Sequence, residues 1–308
     1  MKVLISGASG LVGRELVRAC AVSGHHVVTL GRLRTGSTTR HSQGSNFVLW
    51  HPDRREVHVS DFEGFDAVVH LAGEPILGRW TQTKKRRIRE SRVKGTQFLV
   101  EVLDQVQLKP KVLLTASAIG YYGDTGDKEV DESAVGTDSP RDFLEDTCVE
   151  WENAAQRASA SGIRTVQGRL GIVLSRQGGA LKAMLPPFQL GLGGPIGSGQ
   201  HWMSTISNHD VARAFLFLLE QESCLGAYNI VGPDPATNRH FSLCLGQALH
   251  RPAYHPVPAW AVRLFFGREC ADATVLRSTR VLPTRLVQAG FAFDHPSCVE
   301  QIRWALTA

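Results

Sequence analysis

Short apolar runs alternate along this chain with longer stretches whose apolar residues recur at helical spacing. Val3-Leu4-Ile5 reads as a buried strand, and Leu11, Val12, Leu16, Val17 and Ala19 then share a helix face. Further strands are expected over His25 to Leu30, Phe47 to Trp50 and Asp66 to Gly73. The spacing predicts a long helix over 83–104, with Val93, Thr96, Gln97, Val100 and Leu103 turned inward. Val112 to Ser117 is the next buried strand, Asp142 to Ala160 the next helix, and Arg164 to Leu174 a sixth strand. Residues 35–45 and 124–140 read as loops. This alternation predicts an α/β fold, a Rossmann-type doubly wound parallel sheet.

The pattern changes after residue 174. Gly178-Gly179, Gly193-Gly194, Gly197 and Gly199 crowd the next stretch. A helix is expected near 208–221, a short strand at Ala227 to Val231, and Pro-punctuated helices over 238–308. The expected division is a nucleotide-binding domain over 1–174 and a smaller, mostly helical substrate lobe over 175–308, partly interwoven with it.

Candidate chemistry begins at the first strand's end. Gly7, Gly10 and Gly13, with Ser9, Leu11 and Val12 between and beside them, form a G-x-x-G-x-x-G turn leading into a helix. Such a turn lets the backbone approach a phosphate, and the helix N-terminus offers free N–H groups. The second strand runs into Gly31-Arg32, 19 residues beyond Gly13, where a dinucleotide fold reads the adenosine ribose. An acidic residue there would suit NAD. Arg32, with Arg34 nearby, points instead to a ribose 2′-phosphate and hence to NADP(H). Leu71, Ala72 and Gly73 supply small residues at another strand end, where backbone can pass close to a ring or pyrophosphate. Val173, near the end of the sixth strand, is expected on the same edge.

Composition narrows the partners. The 308 residues are 43% hydrophobic and 20% charged, which suits a globular domain. No apolar run is long enough to span a bilayer and no leader pattern opens the chain, so a cytoplasmic protein without a membrane partner is expected. The six cysteines show no C-x-x-C pair and read as reduced thiols, with no metal site. The net charge of +5 fits an anionic small molecule. The run Lys84-Lys85-Arg86-Arg87 lacks interleaved aromatics and reads as a solvated helix face, so no nucleic-acid partner is expected.

The chain resembles an extended short-chain dehydrogenase/reductase of the NAD-dependent epimerase/dehydratase superfamily. More narrowly, it is similar to the atypical "epimerase family protein" branch, whose members have been labelled nucleoside-diphosphate-sugar epimerases. The resemblance covers nearly the whole chain. It rests on Gly7 to Gly13, His70-Leu71-Ala72-Gly73-Glu74-Pro75-Ile76, and Ser91-Arg92-Val93-Lys94-Gly95-Thr96. Leu185-Pro186-Pro187-Phe188, Pro256-Val257-Pro258-Ala259 and Gly290-Phe291-Ala292-Phe293 extend it. It implies an NADP(H)-binding oxidoreductase or epimerase acting on a small polar or nucleotide-linked substrate.

The superfamily's chemistry uses a Ser, a Tyr and a Lys. Ser117 matches the Ser, and its place at the sheet's carboxyl edge favours a ligand role over a strand-end hydroxyl. The Tyr-x-x-x-Lys window reads Leu144-Glu145-Asp146-Thr147-Cys148, with neither residue present. Tyr121 and Tyr122 could supply a displaced acid/base hydroxyl, with Tyr121 the catalytic candidate, but aromatic packing habits favour the two as cover for the nicotinamide or substrate pocket. Cys148, on an apolar face, reads as a buried thiol. Arg92 replaces the usual Asn and is expected near cofactor phosphate. His209 either binds substrate or stays exposed while Asn208 and Asp210 cap its helix. The apolar face of the 144–158 helix could support a homodimer. The missing Tyr and Lys leave a second reading open, a catalytically silent NADP(H)-binding sensor or scaffold.

Overall fold

The computed structural model describes residues 1–32, 46–134 and 141–308. Arg34 and the loop expected over 35–45 lie outside the described residues, as does the 135–140 part of the second loop. The first half alternates as its pattern requires: β1 (Lys2–Ser6), α1 (Leu11–Val22), β2 (His26–Gly31), β3 (Phe47–Leu49) and β4 (Ala67–His70). There follow α2 (Gln82–Gln105), β5 (Val112–Ala118), β6 (Glu129–Val130), α3 (Phe143–Gln156), β7 (Arg164–Leu170) and β8 (Ile172–Leu174). The second half holds α4 (Gly179–Gln189), β9 (Trp202–Met203), β10 (Thr205–Ser207), α5 (Asn208–Glu220), β11 (Gly226–Ile230) and β12 (Ala236–Thr237). It closes with α6 (Asn238–Ala248), α7 (Ala259–Phe266), α8 (Arg268–Ala273), β13 (Arg280–Val281), α9 (Thr284–Gln288) and α10 (Cys298–Thr307).

Seven strands form one sheet in the order β3-β2-β1-β4-β5-β7-β11, every pair parallel. This is the Rossmann-like α/β fold that the alternation predicts. Residues of opposite parity feed two cores, as the pleat dictates. Ile5, Val69, Leu114 and Val166 pack with Leu16 of α1 and Phe215 of α5. Leu4, Val68 and Leu113 pack with Phe98, Leu99 and Leu103 of α2. Both faces are covered, so the strands read as apolar runs with little alternation.

Four details differ from the sequence reading. The apolar run Arg164 to Leu174 is two strands, because the chain changes partners at Gly171. Gly171 N donates to Ile230 O at 3.1 Å, and Ile172 N already donates to Ser204 O at 2.9 Å. The strand near Ala227 to Val231 returns to the main sheet as β11, its edge partner being β7. The 124–140 stretch includes β6, which pairs in parallel with β13. The apolar face of the 144–158 helix is occupied within the chain: Leu144, Cys148, Trp151, Ala154 and Ala155 are buried. Trp151 Nε1 reaches Thr96 Oγ1 of α2 at 3.0 Å, so that face is not available to a second copy.

Candidate functional site

The glycine turn is built as a close approach of backbones. Gly7 has φ +69°, and a Cβ on it would lie 2.7 Å from Leu71 C. A Cβ on Gly13 would lie 2.2 Å from Gly7 O. Both contacts are impossible for a side chain, so the sequence must carry glycine there. α1 begins at Gly10 with no side-chain cap and no acid in its first turn, which leaves its N-terminal N–H groups for an anion. Ser9 and Val12 sit in this turn, and Arg14 Nη1 fastens it by donating to Ser9 O at 3.1 Å. Leu11 joins it to the second half. Asn208 Nδ2 donates to Leu11 O at 3.3 Å, and Gly178 and Gly179, just beyond Val173 of β8, pass along the Leu11 side chain.

A buried pair ties the turn to the end of β4. Ser6 Oγ accepts from Leu71 N at 3.2 Å and Ala72 N at 3.4 Å. With its lone pairs so engaged, its proton goes to His70 Nδ1, 2.6 Å away. The His70 proton therefore sits on Nε2, which has no hydrogen-bond partner among the described residues. Burial pushes the His70 imidazole down to about 4. Gly73 follows, with the Arg92 guanidinium behind it: an added Cβ would meet Arg92 Cζ at 3.4 Å. Arg92 Nη1 donates to Glu74 O at 2.9 Å and its guanidinium lies 5.2 Å from the Trp151 ring. Burial lowers its pKa. Gly31 and Arg32 end β2 on the same sheet edge, where Arg32 is exposed and 3.5 Å from Asp53.

The second cluster surrounds Ser117. Its hydroxyl donates to Glu152 Oε1 at 2.6 Å. Glu152, on α3, is gripped by Arg169 of β7, with Nε to Oε1 and Nη2 to Oε2 both 2.8 Å. Arg169 Nη1 also donates to Tyr122 Oη at 2.8 Å, which in turn donates to Asn229 Oδ1 at 2.8 Å. The Tyr121 ring covers the guanidinium at 3.5 Å. Burial draws the Arg169 pKa down, but the bonds and charge of Glu152 outweigh it and hold the pKa above its ordinary value. Burial pushes the Tyr122 hydroxyl up to about 12. Burial likewise pushes the Cys148 thiol up to about 12, with Glu152 adding to the shift. Cys148 is thus a neutral thiol, unable to do the work of a lysine. Neither Glu152 nor Arg169 stood out in the sequence reading. A charged residue inside the apolar run Arg164 to Leu174 was the available signal, since Arg is seldom fully buried without a partner.

His209 Nε2 donates to Asp294 Oδ2 at 2.8 Å, and the ring packs beside His295 and Trp304. Its helix is capped by Ser207, whose hydroxyl accepts from Asp210 N at 3.0 Å, and not by Asn208 or Asp210. A cavity of about 460 Å³ lies where Trp80 and the N-terminus of α3 face α8 and Arg277. Arg277 closes one side with an ion pair to Asp142.

A parallel sheet of this order, with a glycine turn after β1 and polar strand ends at one edge, defines a Rossmann-like nucleotide-binding protein. The chain belongs to the NAD dependent epimerase/dehydratase family, whose model matches residues 3–231. Residues 257–305 match a second model, described as a domain of unknown function, DUF1731. It is 38% identical over 307 residues to the "Epimerase family protein Mb2239" of Mycobacterium bovis, covering 99% of this chain and 97% of that one. Among solved structures it is similar to the human epimerase family protein SDR39U1 with NADPH. That match has a TM-score of 0.89, 32% identity and full coverage of both chains. It shares its fold with a Thermus thermophilus UDP-glucose 4-epimerase in complex with NAD. There the TM-score is 0.77 at 20% identity, covering 100% of this chain and 98% of that one. Among the described residues, no helix is long and apolar enough to cross a membrane.

Proposed function

We propose that this protein is an NADP(H)-dependent oxidoreductase or epimerase for a small polar, hydroxyl-bearing substrate, with a nucleotide-linked sugar as the leading class. The observation that carries the cofactor reading is the glycine turn, where a Cβ at Gly7 or Gly13 would collide with backbone, under an uncapped helix. These residues fit a pyrophosphate. Arg32, with its weak contact to Asp53, is free to meet a 2′-phosphate. The NADPH named with the human relative agrees with that charge logic. When bound, the nicotinamide supplies hydride chemistry. This chain's contribution is the Ser117 cluster. Because Ser117 gives its proton to Glu152, its oxygen presents lone pairs and suits a substrate hydroxyl better than a carbonyl. Arg169 holds Glu152 in place, and Arg92 supports the backbone at Gly73 and Glu74.

Titration calorimetry with NADPH and NADH tests this reading. NADPH is expected to bind more tightly, and Arg32→Asp to weaken it by about tenfold or more through loss of a charge-assisted contact. Failure of the wild type to bind either cofactor overturns the reading. A second reading, a silent NADP(H)-binding sensor or scaffold, is favoured by one observation. Leu144 and Cys148 stand where the acid/base pair belongs, and Cys148 is fixed as a neutral thiol. Turnover of any sugar nucleotide or carbonyl compound that Ser117→Ala abolishes would rule it out.

A further inference from the structure

The segment between α6 and α7 folds back on the loop after α4. Val257 N donates to Pro195 O at 2.7 Å, and Gly197 N donates to Val257 O at 2.9 Å. A Cβ added to Gly191 would lie 3.5 Å from Pro252 Cγ. These contacts join two stretches with one compositional trait: residues 153–209 and 235–268 contain no Asp or Glu at all. The joined surface carries Leu190, Leu192, Tyr254, Trp260, Leu264 and Phe265, each between 65% and 75% exposed. Helix α7 is turned inside out relative to an ordinary surface helix. Only Val262 is buried, while Trp260 and Leu264, one turn apart, and Phe265 face outward. Lys182, Arg251, Arg263 and Arg268 are exposed in the same stretches. Two acids of α8 stand beside α7 and both are paired: Asp272 with Arg263 at 2.8 Å and Arg268 at 3.8 Å, and Glu269 with Lys85 at 2.5 Å.

We propose that this face docks on the surface of an anionic lipid bilayer, with Trp260, Leu264 and Phe265 of α7 seated among the headgroups and acyl boundary. Arg251, Arg263 and Arg268 meet lipid phosphates at the rim. Trp, Leu and Phe beside arginine on a short, strongly apolar helix is the chemistry of an interfacial helix. A polyanion such as a nucleic acid would match the charge and leave six large apolar side chains unmatched. A second copy of this chain would bring the same positive charges against them. The contact is peripheral, since no described helix is long and apolar enough to span. Hydropathy along the sequence did not point to it, because the face is assembled from two separated stretches.

Co-sedimentation with large unilamellar vesicles tests the proposal. The full chain is expected to pellet with phosphatidylcholine vesicles containing phosphatidylglycerol, and about tenfold less with phosphatidylcholine alone. Raising salt from about 50 mM to about 500 mM should release most of it, because the charge component is screened. The double variant Trp260→Ser/Phe265→Ser should lose vesicle binding about tenfold, as should Arg263→Gln/Arg268→Gln on the anionic vesicles. These side chains are exposed, and an unchanged Tm and unchanged NADPH affinity certify that the variants are folded. Wild-type protein that stays in the supernatant with both vesicles overturns the proposal. So does binding that the Trp260→Ser/Phe265→Ser variant retains. Self-association lost in that variant, without vesicle binding, would also overturn it by assigning the face to a dimer.

Discussion

Removing the Glu152 carboxylate should cost both stability and the orientation of Ser117. Arg169 and Glu152 have side chains only 6% and 13% exposed, and they share two hydrogen bonds of 2.8 Å. Glu152→Ala strands a buried guanidinium whose Nη1 still reaches Tyr122 but whose charge has lost its partner. Breaking a buried pair from one side costs about 3–5 kcal/mol. Glu152→Gln keeps one acceptor oxygen, so its cost should be smaller, about 1–3 kcal/mol. Replacing both partners, as in Glu152→Leu/Arg169→Met, should recover much of the loss, because no buried charge remains. Urea unfolding of the wild type, Glu152→Leu, Arg169→Met and the double variant gives the coupling energy directly. A loss below about 1 kcal/mol for Glu152→Ala, or additive effects in the cycle, would refute the view that the pair is buried and coupled. The same variants test the Ser117 argument. In Glu152→Gln the side-chain amide can donate to Ser117, which frees the Ser117 proton for a ligand.

Three further outcomes follow from the cofactor half. Stability should fall with acidity through His70: its folded-state pKa of about 4 lies below the ordinary 6.5, so the unfolded chain binds the proton first. The stabilisation is complete above pH 6.5 and is lost as pH falls toward 4, by about 3 kcal/mol in all, and His70→Asn should flatten that slope in denaturant titrations. Gly13→Ala, whose Cβ would sit 2.2 Å from Gly7 O, should abolish NADPH binding in calorimetry even where the variant folds; retained affinity would show that the turn is not the phosphate cradle. All six thiols are buried, so iodoacetamide at neutral pH should leave the native protein unmodified, and rapid labelling of Cys148 would contradict its neutral, enclosed state.

The central strands β1, β4 and β5 were legible because they are buried on both faces and so appear as largely apolar runs. Where the run and the hydrogen bonding part company, the reading failed. Ile172 to Leu174 is as apolar as Val166 but pairs with β10, and only Ser204 reveals the change of partner. β11 reads as an isolated short strand because its partner, β7, lies tens of residues earlier in the chain. The glycine turn was legible because steric exclusion leaves a mark in sequence: Gly7 and Gly13 admit no other residue. The Ser117 cluster left only a fainter mark, the charged Arg169 within a strand. Glu152 comes from a different element and alone is an ordinary charged residue. What makes them a site is that α3 and β7 converge on Ser117.

That convergence bears on what replaced the missing Tyr and Lys. A lysine at position 148 would bring a positive charge close to the end of β5. Here the thiol at that position is neutral, while two arginines approach the same place from other elements, Arg169 from β7 and Arg92 from α2. Both act on the Cys148 environment, opposing the upward pull of burial and Glu152 on its thiol. Positive charge is therefore present at the site but is carried by groups that do not release protons near neutral pH. Tyr122, the nearest buried phenol, is committed to Asn229 and Arg169 and is pushed up to about 12, so it does not supply a proton either. What remains is Ser117 bonded to a carboxylate. Such a pair orients a substrate hydroxyl through the Ser117 oxygen, while the Glu152 oxygens are already occupied by Ser117 and Arg169 and are poorly placed to take its proton. Any reaction at this site would accordingly run with substrate positioning intact and proton transfer slow. Slow turnover that Ser117→Ala removes is the signature this arrangement predicts.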